Sequence, residues 1–143
     1  MVTERPVVYI CGPFAAPDQG AVAENIKRAE ILGRIAVNRG YAPIVVHSNV
    51  EELFGSDRDP ALRAVGLECN LAVTRAVAES GGFLWVITRD DGTLSEGCSA
   101  EAIEFTTRLM AHTSGFCKED IEEHLDTHMV MMTWAGWMEG NDG

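Results

Sequence analysis

Three short apolar runs alternate with two longer segments of helical periodicity in the N-terminal part of the chain. The apolar runs are Pro6–Cys11, Tyr41–His47 and Phe83–Thr88, and runs of this length and composition are typical of buried strands. Between them, Gln19–Asn38 and Ala61–Ser80 carry apolar residues at the spacing of one helix face. The order strand, helix, strand, helix, strand predicts a parallel sheet with right-handed crossovers.

The C-terminal part continues this pattern less regularly. A polar loop, Arg89–Thr93, precedes a segment that turns helical after Gly97 and keeps an apolar face as far as Met110. The acidic piece Lys118–Asp126 is predicted as a solvated helix, and Met129–Trp134 as a last strand. The whole chain, residues 1–143, is therefore predicted to be one α/β domain, a parallel sheet flanked by helices.

Composition and charge narrow the classes of function. A hydrophobic content of 46% and a charged content of 23% are those of a globular protein. A net charge of −11 argues against a nucleic-acid polymer as partner, although one small nucleotide needs only local donors. Without a long apolar run or a signal peptide, we expect no membrane association and a cytoplasmic location. The four scattered cysteines predict free thiols, and we expect no metal and no cofactor.

The stretch from Ser95 to Glu101 lies where a predicted strand and loop lead into a helix. In open α/β sheets ligands bind at the carboxyl ends of strands, and the free N–H groups of a helix start suit an anion. We expect Glu101 in the first turn or so, at a polar, partly exposed position. The simpler interpretation is a first-turn Glu, or a capping box with Ser99 or Cys98 nearby.

Other candidates follow the first two predicted strands. The loop Gly12–Pro17 lies where ligands bind in this fold class, but it has neither a dinucleotide fingerprint nor the Lys of a Walker loop. Asn25 is either a pocket residue or a solvent-facing Asn. His47 either lines a pocket or is hydrogen-bonded at a strand end. The polar stretch Ser48–Pro60 has a length typical of a lid or binding loop.

Four motifs in this order resemble one family. They are Tyr9–Phe14, Glu24–Ile26, Pro43–His47 and Ser95–Glu101, and together they are similar to the nucleoside 2-deoxyribosyltransferase-like superfamily. The resemblance spans roughly residues 6 to 110. It implies a Rossmann-like or flavodoxin-like domain that cleaves the N-glycosidic bond of a nucleoside or nucleoside 5′-monophosphate, by hydrolysis or by transfer.

The resemblance also implies roles for single residues. Glu101 would attack the anomeric carbon, Ser95, Gly97 and the helix N-terminus would hold a 5′-phosphate, and the loop after the first strand would form the pocket floor. Arg58, Arg63 and Arg89 are alternative partners for the phosphate. The implied substrate-binding residues are Tyr9, Cys11, Gly12, Pro13, Phe14, Asn25, His47, Ser95, Gly97 and Cys98.

The chain departs from the family pattern before the third strand. The family usually carries an Asp there, whereas this chain has Gly81-Gly82, so Asp91 is carried over as the acid or orienting group. A second frame, Gly92–Glu96, resembles the motif of some transferases and makes Glu96 the nucleophile. Family members are oligomers, so we expect a homodimer or higher. A nucleotide-binding module without turnover, or an interaction protein with the fold alone, are the alternative functions.

Overall fold

The computed structural model describes residues 4–13, 19–45 and 60–139. Strands and helices alternate along these residues, and a short helix closes the described part of the chain. The elements are β1 (Val7–Cys11), α1 (Gln19–Asn38), β2 (Ala42–Val45), α2 (Pro60–Glu79), β3 (Phe83–Thr88), α3 (Glu96–Met110), α4 (Lys118–His128), β4 (Met129–Thr133) and α5 (Trp134–Glu139).

The four described strands form one parallel sheet in the order β2-β1-β3-β4. In register, Tyr9 of β1 lies opposite Ile44 of β2 and Leu84 of β3. On the far side of β3, Leu84 pairs with Met129 of β4. This arrangement confirms the predicted α/β fold, a parallel sheet flanked by helices of the Rossmann-like or flavodoxin-like kind.

The two central strands, β1 and β3, are buried on both faces of the sheet, where alternate residues of a strand point to opposite sides. Tyr9 and Cys11 of β1 pack with residues of α2 and α3 on one face. Val8 and Ile10 pack on the other face with residues of α1 and with Trp137 of α5. Such double burial accounts for the nearly continuous apolar strands of the sequence.

Most element bounds agree with the sequence pattern. The predictions for Gln19–Asn38 and Phe83–Thr88 are confirmed at both ends, and α2 is displaced by one residue towards the N-terminus. Helix α4 has no buried residue, as predicted for a solvated helix. Gly40 and Gly81, with φ of 92° and 79°, follow α1 and α2 because a left-handed residue ends a helix most easily as Gly.

The C-terminal bounds needed a correction. Trp134 was predicted in the last strand, but it begins α5 because the hydroxyl of Thr133 accepts a hydrogen bond from the N–H of Gly136 at 3.1 Å, which caps a helix start. Trp137 of α5 is buried, and its Nε1–H donates to the carbonyl of Val86 at 2.9 Å. This bond fixes α5 to the central strand β3.

Within the described ranges, none of the helices combines the length and the apolar character needed to cross a membrane.

Candidate functional site

The carboxyl edge of the sheet holds a cleft at the point where the strand order reverses. The chain passes from β1 to β2 on one side and then returns to β3 on the other, so the connections diverge between β1 and β3. In open α/β sheets this divergence opens the crevice in which ligands bind. A cleft of about 200 Å³ lies there.

Three of the predicted substrate-binding residues meet in this cleft. Gly12 and Pro13 come from the end of β1, and Asn25 comes from α1. Sequence reasoning missed Arg28, which lies one turn after Asn25, and Asp90, which follows β3; both line the same cleft. The spacing of three residues between Asn25 and Arg28 was the available signal, since residues that far apart share a helix face.

Glu101 lies on the opposite face of the sheet from α1, in the second turn of α3. The helix begins one turn earlier than the capping-box alternative required, because the hydroxyl of Ser95 accepts the N–H of Cys98 at 3.2 Å. A cap at Ser99 or Cys98 is therefore wrong. The buried residues of α3 recur at helical spacing and include Glu101: Cys98, Glu101, Ala102, Phe105 and Leu109.

The carboxyl group of Glu101 is buried, which corrects the expectation of a partly exposed side chain. The residue is 2% exposed and lies beside Tyr9 and Cys11 of β1. Burial raises the pKa of Glu101 to about 7, and the hydroxyl of Tyr9 and the thiol of Cys11 oppose part of that rise. Half of the Glu101 side chains are therefore charged near neutral pH.

The groups around Glu101 have perturbed pKa values as well. Burial and the neighbouring Glu101 charge raise the pKa of Tyr9 well above its ordinary value. The Cys98 thiol, followed by burial, raises the pKa of Cys11. These residues are members of a fully buried set that also includes Thr74 of α2. Tyr9 and Cys11 thus lie against the carboxyl group, Cys98 lies against Cys11, and none of the three lines the cleft.

Two polar atoms in this buried set are left without partners. Among the residues that the structure describes, neither Oε2 of Glu101 nor the hydroxyl of Tyr9 makes a hydrogen bond of good geometry, although the two groups are close enough for the Tyr9 hydroxyl to lower the pKa of Glu101. A buried polar group without a partner costs on the order of 1–3 kcal/mol. A buried carboxyl with a raised pKa is a candidate functional group, although Glu101 itself does not line the cleft.

The start of α3 is open around Gly97. Outside its own helix, a methyl group added at Gly97 meets no atom of the described residues within 4 Å. Ser95 accepts the Cys98 N–H, which leaves its hydroxyl proton available as a donor. Glu96, the alternative nucleophile, is the first residue of the helix and is exposed.

Asp91 stabilises the loop in which it lies. Its Oδ1 accepts hydrogen bonds from the N–H of Thr93 at 2.9 Å and from the Thr93 hydroxyl at 2.6 Å. These bonds lower the pKa of Asp91, and the side chain is exposed. The structure therefore places Asp91 in a turn that supports the loop after β3, while its neighbour Asp90 lines the cleft.

Several candidates fall outside the described residues. They are Phe14, His47, Arg58 and most of the predicted loop from Ser48 to Pro60, and the side chain of Arg63 is also outside. Across the described ranges, no three His, Cys, Asp or Glu side chains are placed to hold a metal ion. All four cysteines are free thiols, Cys11 and Cys98 buried and Cys69 and Cys117 exposed, as predicted.

A family model described as Domain of unknown function (DUF7768) matches residues 6–114. The chain belongs to this family. The DUF7768 range runs from the start of β1 to just past α3, so it contains the cleft and Glu101, whereas α4, β4 and α5 follow it. No curated protein and no solved structure matches the chain. The resemblance to the nucleoside 2-deoxyribosyltransferase-like superfamily stays a prediction.

Proposed function

We propose that this protein cleaves the N-glycosidic bond of a nucleoside or nucleoside 5′-monophosphate, with Glu101 as the nucleophile. The single observation that carries the proposal is the Glu101 carboxyl, which is 2% exposed, has a pKa of about 7 and leaves Oε2 without a partner among the described residues. A carboxyl with only a structural role gains nothing from this environment, because burying it destabilises the fold.

The chemistry follows from the charge of the transition state. As the C–N bond breaks, its electron pair leaves with the base, which takes a proton, and the sugar gains oxocarbenium character. A carboxylate oxygen stabilises that positive charge and forms a C–O bond to the anomeric carbon. Water or a second base then releases the sugar. Asp90, which lines the cleft, and Asp91, in the supporting loop, are the carboxylates that we propose for orienting the sugar or protonating the base.

The burial of Glu101 favours this chemistry, but it also requires a conformational change. A desolvated carboxylate interacts more strongly with a developing cation than a solvated one does. β1 connects the two parts of the site, since Cys11 lies beside the carboxyl group and the next residue, Gly12, lines the cleft. Because Glu101 is 2% exposed, attack requires its side chain or α3 to move.

A second function is favoured by the same burial. If Glu101 stays covered when a ligand enters the cleft, the protein binds a nucleotide without turning it over. Asp91 accepts two hydrogen bonds from Thr93. This also fits a nucleotide-binding module in which the acidic loop residue has a structural role. This alternative keeps the cleft and predicts ligand binding without release of free base.

Incubation with a panel of nucleosides and their 5′-monophosphates, followed by chromatography for free base, distinguishes the two functions. The proposal predicts base release from at least one compound. Binding detected by calorimetry without any base release supports the non-catalytic module instead, and the absence of both would contradict both functions.

We further propose that the protein is a homo-oligomer, since Met131 and Met132 of the edge strand β4 are exposed. We also propose that it is cytoplasmic.

A further inference from the structure

Two arginines from different elements line the cleft between β1 and β3. Arg28 lies on α1, and Arg89 is the residue directly after β3. The chain has 11 Lys and Arg residues against 22 Asp and Glu. In a protein of this net charge, two arginines that line one small cleft beside the single carboxylate of Asp90 give that cleft an excess of positive charge.

Arg28 is held in place but keeps donors available. Its Cζ lies 5.5 Å from the centroid of the Trp134 ring, a distance at which a guanidinium interacts with an aromatic face. Its Nε lies 3.4 Å from Oε1 of Glu24, whose side chain is 57% exposed. Such an exposed pair is weak. Among the described residues the buried Nε makes no hydrogen bond. Arg28 is therefore held in place while its guanidinium group keeps hydrogen-bond donors without a partner there.

Arg89 is oriented by the loop that follows it. One terminal nitrogen donates to the carbonyl of Leu94 at 3.1 Å and to the hydroxyl of Thr93 at 3.5 Å. Thr93 is in turn fixed by its two hydrogen bonds to Asp91. A guanidinium has five N–H donors, and these contacts use one nitrogen. The remaining donors of Arg89 are available to a ligand in the cleft.

We propose that Arg28 and Arg89 bind the phosphoryl group of a phosphorylated pentose. Planar guanidinium forks match phosphate oxygens. Asp90 also lines the cleft and repels an isolated anion, but its carboxylate accepts hydrogen bonds from sugar hydroxyls. The ligand therefore carries both phosphate and hydroxyl groups, and Asn25 adds an amide to the same wall.

This inference rests on the proposed function and narrows its substrate class to nucleoside 5′-monophosphates rather than nucleosides. It also moves the phosphate from the start of α3, where the family resemblance places it. The arginines offer two formal charges, whereas the α3 start offers backbone N–H groups and the Ser95 hydroxyl, which already accepts the Cys98 N–H.

Calorimetric titration of the full chain with ribose 5-phosphate and with ribose tests the proposal. We expect ribose 5-phosphate to bind and ribose to bind at least tenfold more weakly, since a hydrogen bond to a charged group is worth about 1.5–3 kcal/mol. Arg28→Gln and Arg89→Gln should each raise the dissociation constant at least about tenfold by the same reasoning. Arg34→Gln is the matched control, because it removes an exposed Arg from the same helix, and it should leave the constant within about twofold.

Arg28→Lys separates loss of the site from loss of the fold. It keeps the charge but not the planar fork, so binding should lie between wild type and Arg28→Gln, with circular dichroism confirming an unchanged helix content. No binding of ribose 5-phosphate, equal losses for Arg28→Gln and Arg34→Gln, or a loss confined to Ser95→Ala would overturn the inference. If ribose 5-phosphate binds as expected but no nucleotide releases its base, the inference stands and the glycosidase proposal fails.

Discussion

The buried carboxyl of Glu101 leads to a quantitative prediction about stability and pH. Its pKa rises from 4.5 to about 7 on folding, so the native state holds this proton more tightly than the unfolded state. Each pH unit of displacement is worth about 1.4 kcal/mol, which gives about 3 kcal/mol for the full difference. Because Glu101 is 2% exposed, solvent screening reduces this value little.

The sign of the effect follows from proton linkage. Below the unfolded pKa both states are protonated, and the raised pKa costs nothing. As pH rises from 4.5 to about 7, the native state must either keep a proton that water would take or bear a buried charge, so the free energy of unfolding falls. Glu101→Gln keeps the size and removes the titration. The free energy of unfolding of Glu101→Gln, relative to that of wild type, should therefore be about 3 kcal/mol higher at about pH 8 than at about pH 4.

Urea unfolding followed by circular dichroism at both pH values measures this gain. Glu96→Gln is the control, since it removes an exposed carboxylate from the same helix, and its effect should change by less than about 0.5 kcal/mol between the two conditions. If Glu101→Gln shifts stability by the same amount at both pH values, the carboxyl is not desolvated in solution and the reasoning about the site is wrong.

Three further outcomes are expected. For the proposed N-glycosidase activity, kcat/KM should rise with pH and level off above about pH 7, because the attacking form of Glu101 is the ionised one; a flat profile from about pH 5 to 8 would argue against a titrating nucleophile. Gly97→Ala should raise the free energy of unfolding by about 0.5–1 kcal/mol through helix propensity, since outside its own helix the added methyl group meets no atom of the described residues within 4 Å. The same change should leave ribose 5-phosphate affinity unaltered, and a tenfold or greater loss, as a phosphate at the start of α3 predicts, would return the phosphate there. Sedimentation should give a mass at least twice the 15.5 kDa of the chain, whereas a monomer at micromolar concentration would refute the oligomer.

Local patterns predicted the elements well because burial on both faces makes a parallel strand apolar throughout. Phe83–Thr88 is an example, with all but its first residue buried. The start of α3 was harder to place. The sequence suggested a cap at Ser99 or Cys98, whereas the hydrogen bond from the Cys98 N–H to the Ser95 hydroxyl puts the cap at Ser95, a residue for which only a phosphate-binding role was predicted.

The burial of Glu101 was also visible in the pattern, but hydrophilicity argued against it. Its position between Cys98 and Phe105 fits the helical spacing of the buried face of α3. Single-residue character predicts an exposed Glu, while tertiary packing against β1 overrides that preference. A charged residue on an apolar helix face is therefore the feature that deserved most weight in the sequence.

The sequence predicted where the cleft lies but not all of the side chains that line it. Parallel topology placed the ends of β1 and β3 together, which gave Gly12 and Pro13 their position. The approach of Arg28 and Asp90 depends on how α1 packs beside the loop after β3, a contact between distant parts of the chain. Likewise, no local signal showed that Trp137 would donate to Val86.

Base release by wild type, Glu101→Gln and Glu96→Gln tests the central claim most directly. Each is incubated at about pH 8 with the nucleoside 5′-monophosphate that wild type cleaves fastest, and free base is quantified by chromatography. The account predicts a fall of about a thousandfold or more for Glu101→Gln, because the lost interaction exists mainly in the transition state, and a rate for Glu96→Gln close to wild type. Retained activity in Glu101→Gln together with loss in Glu96→Gln would make Glu96 the nucleophile and contradict the account.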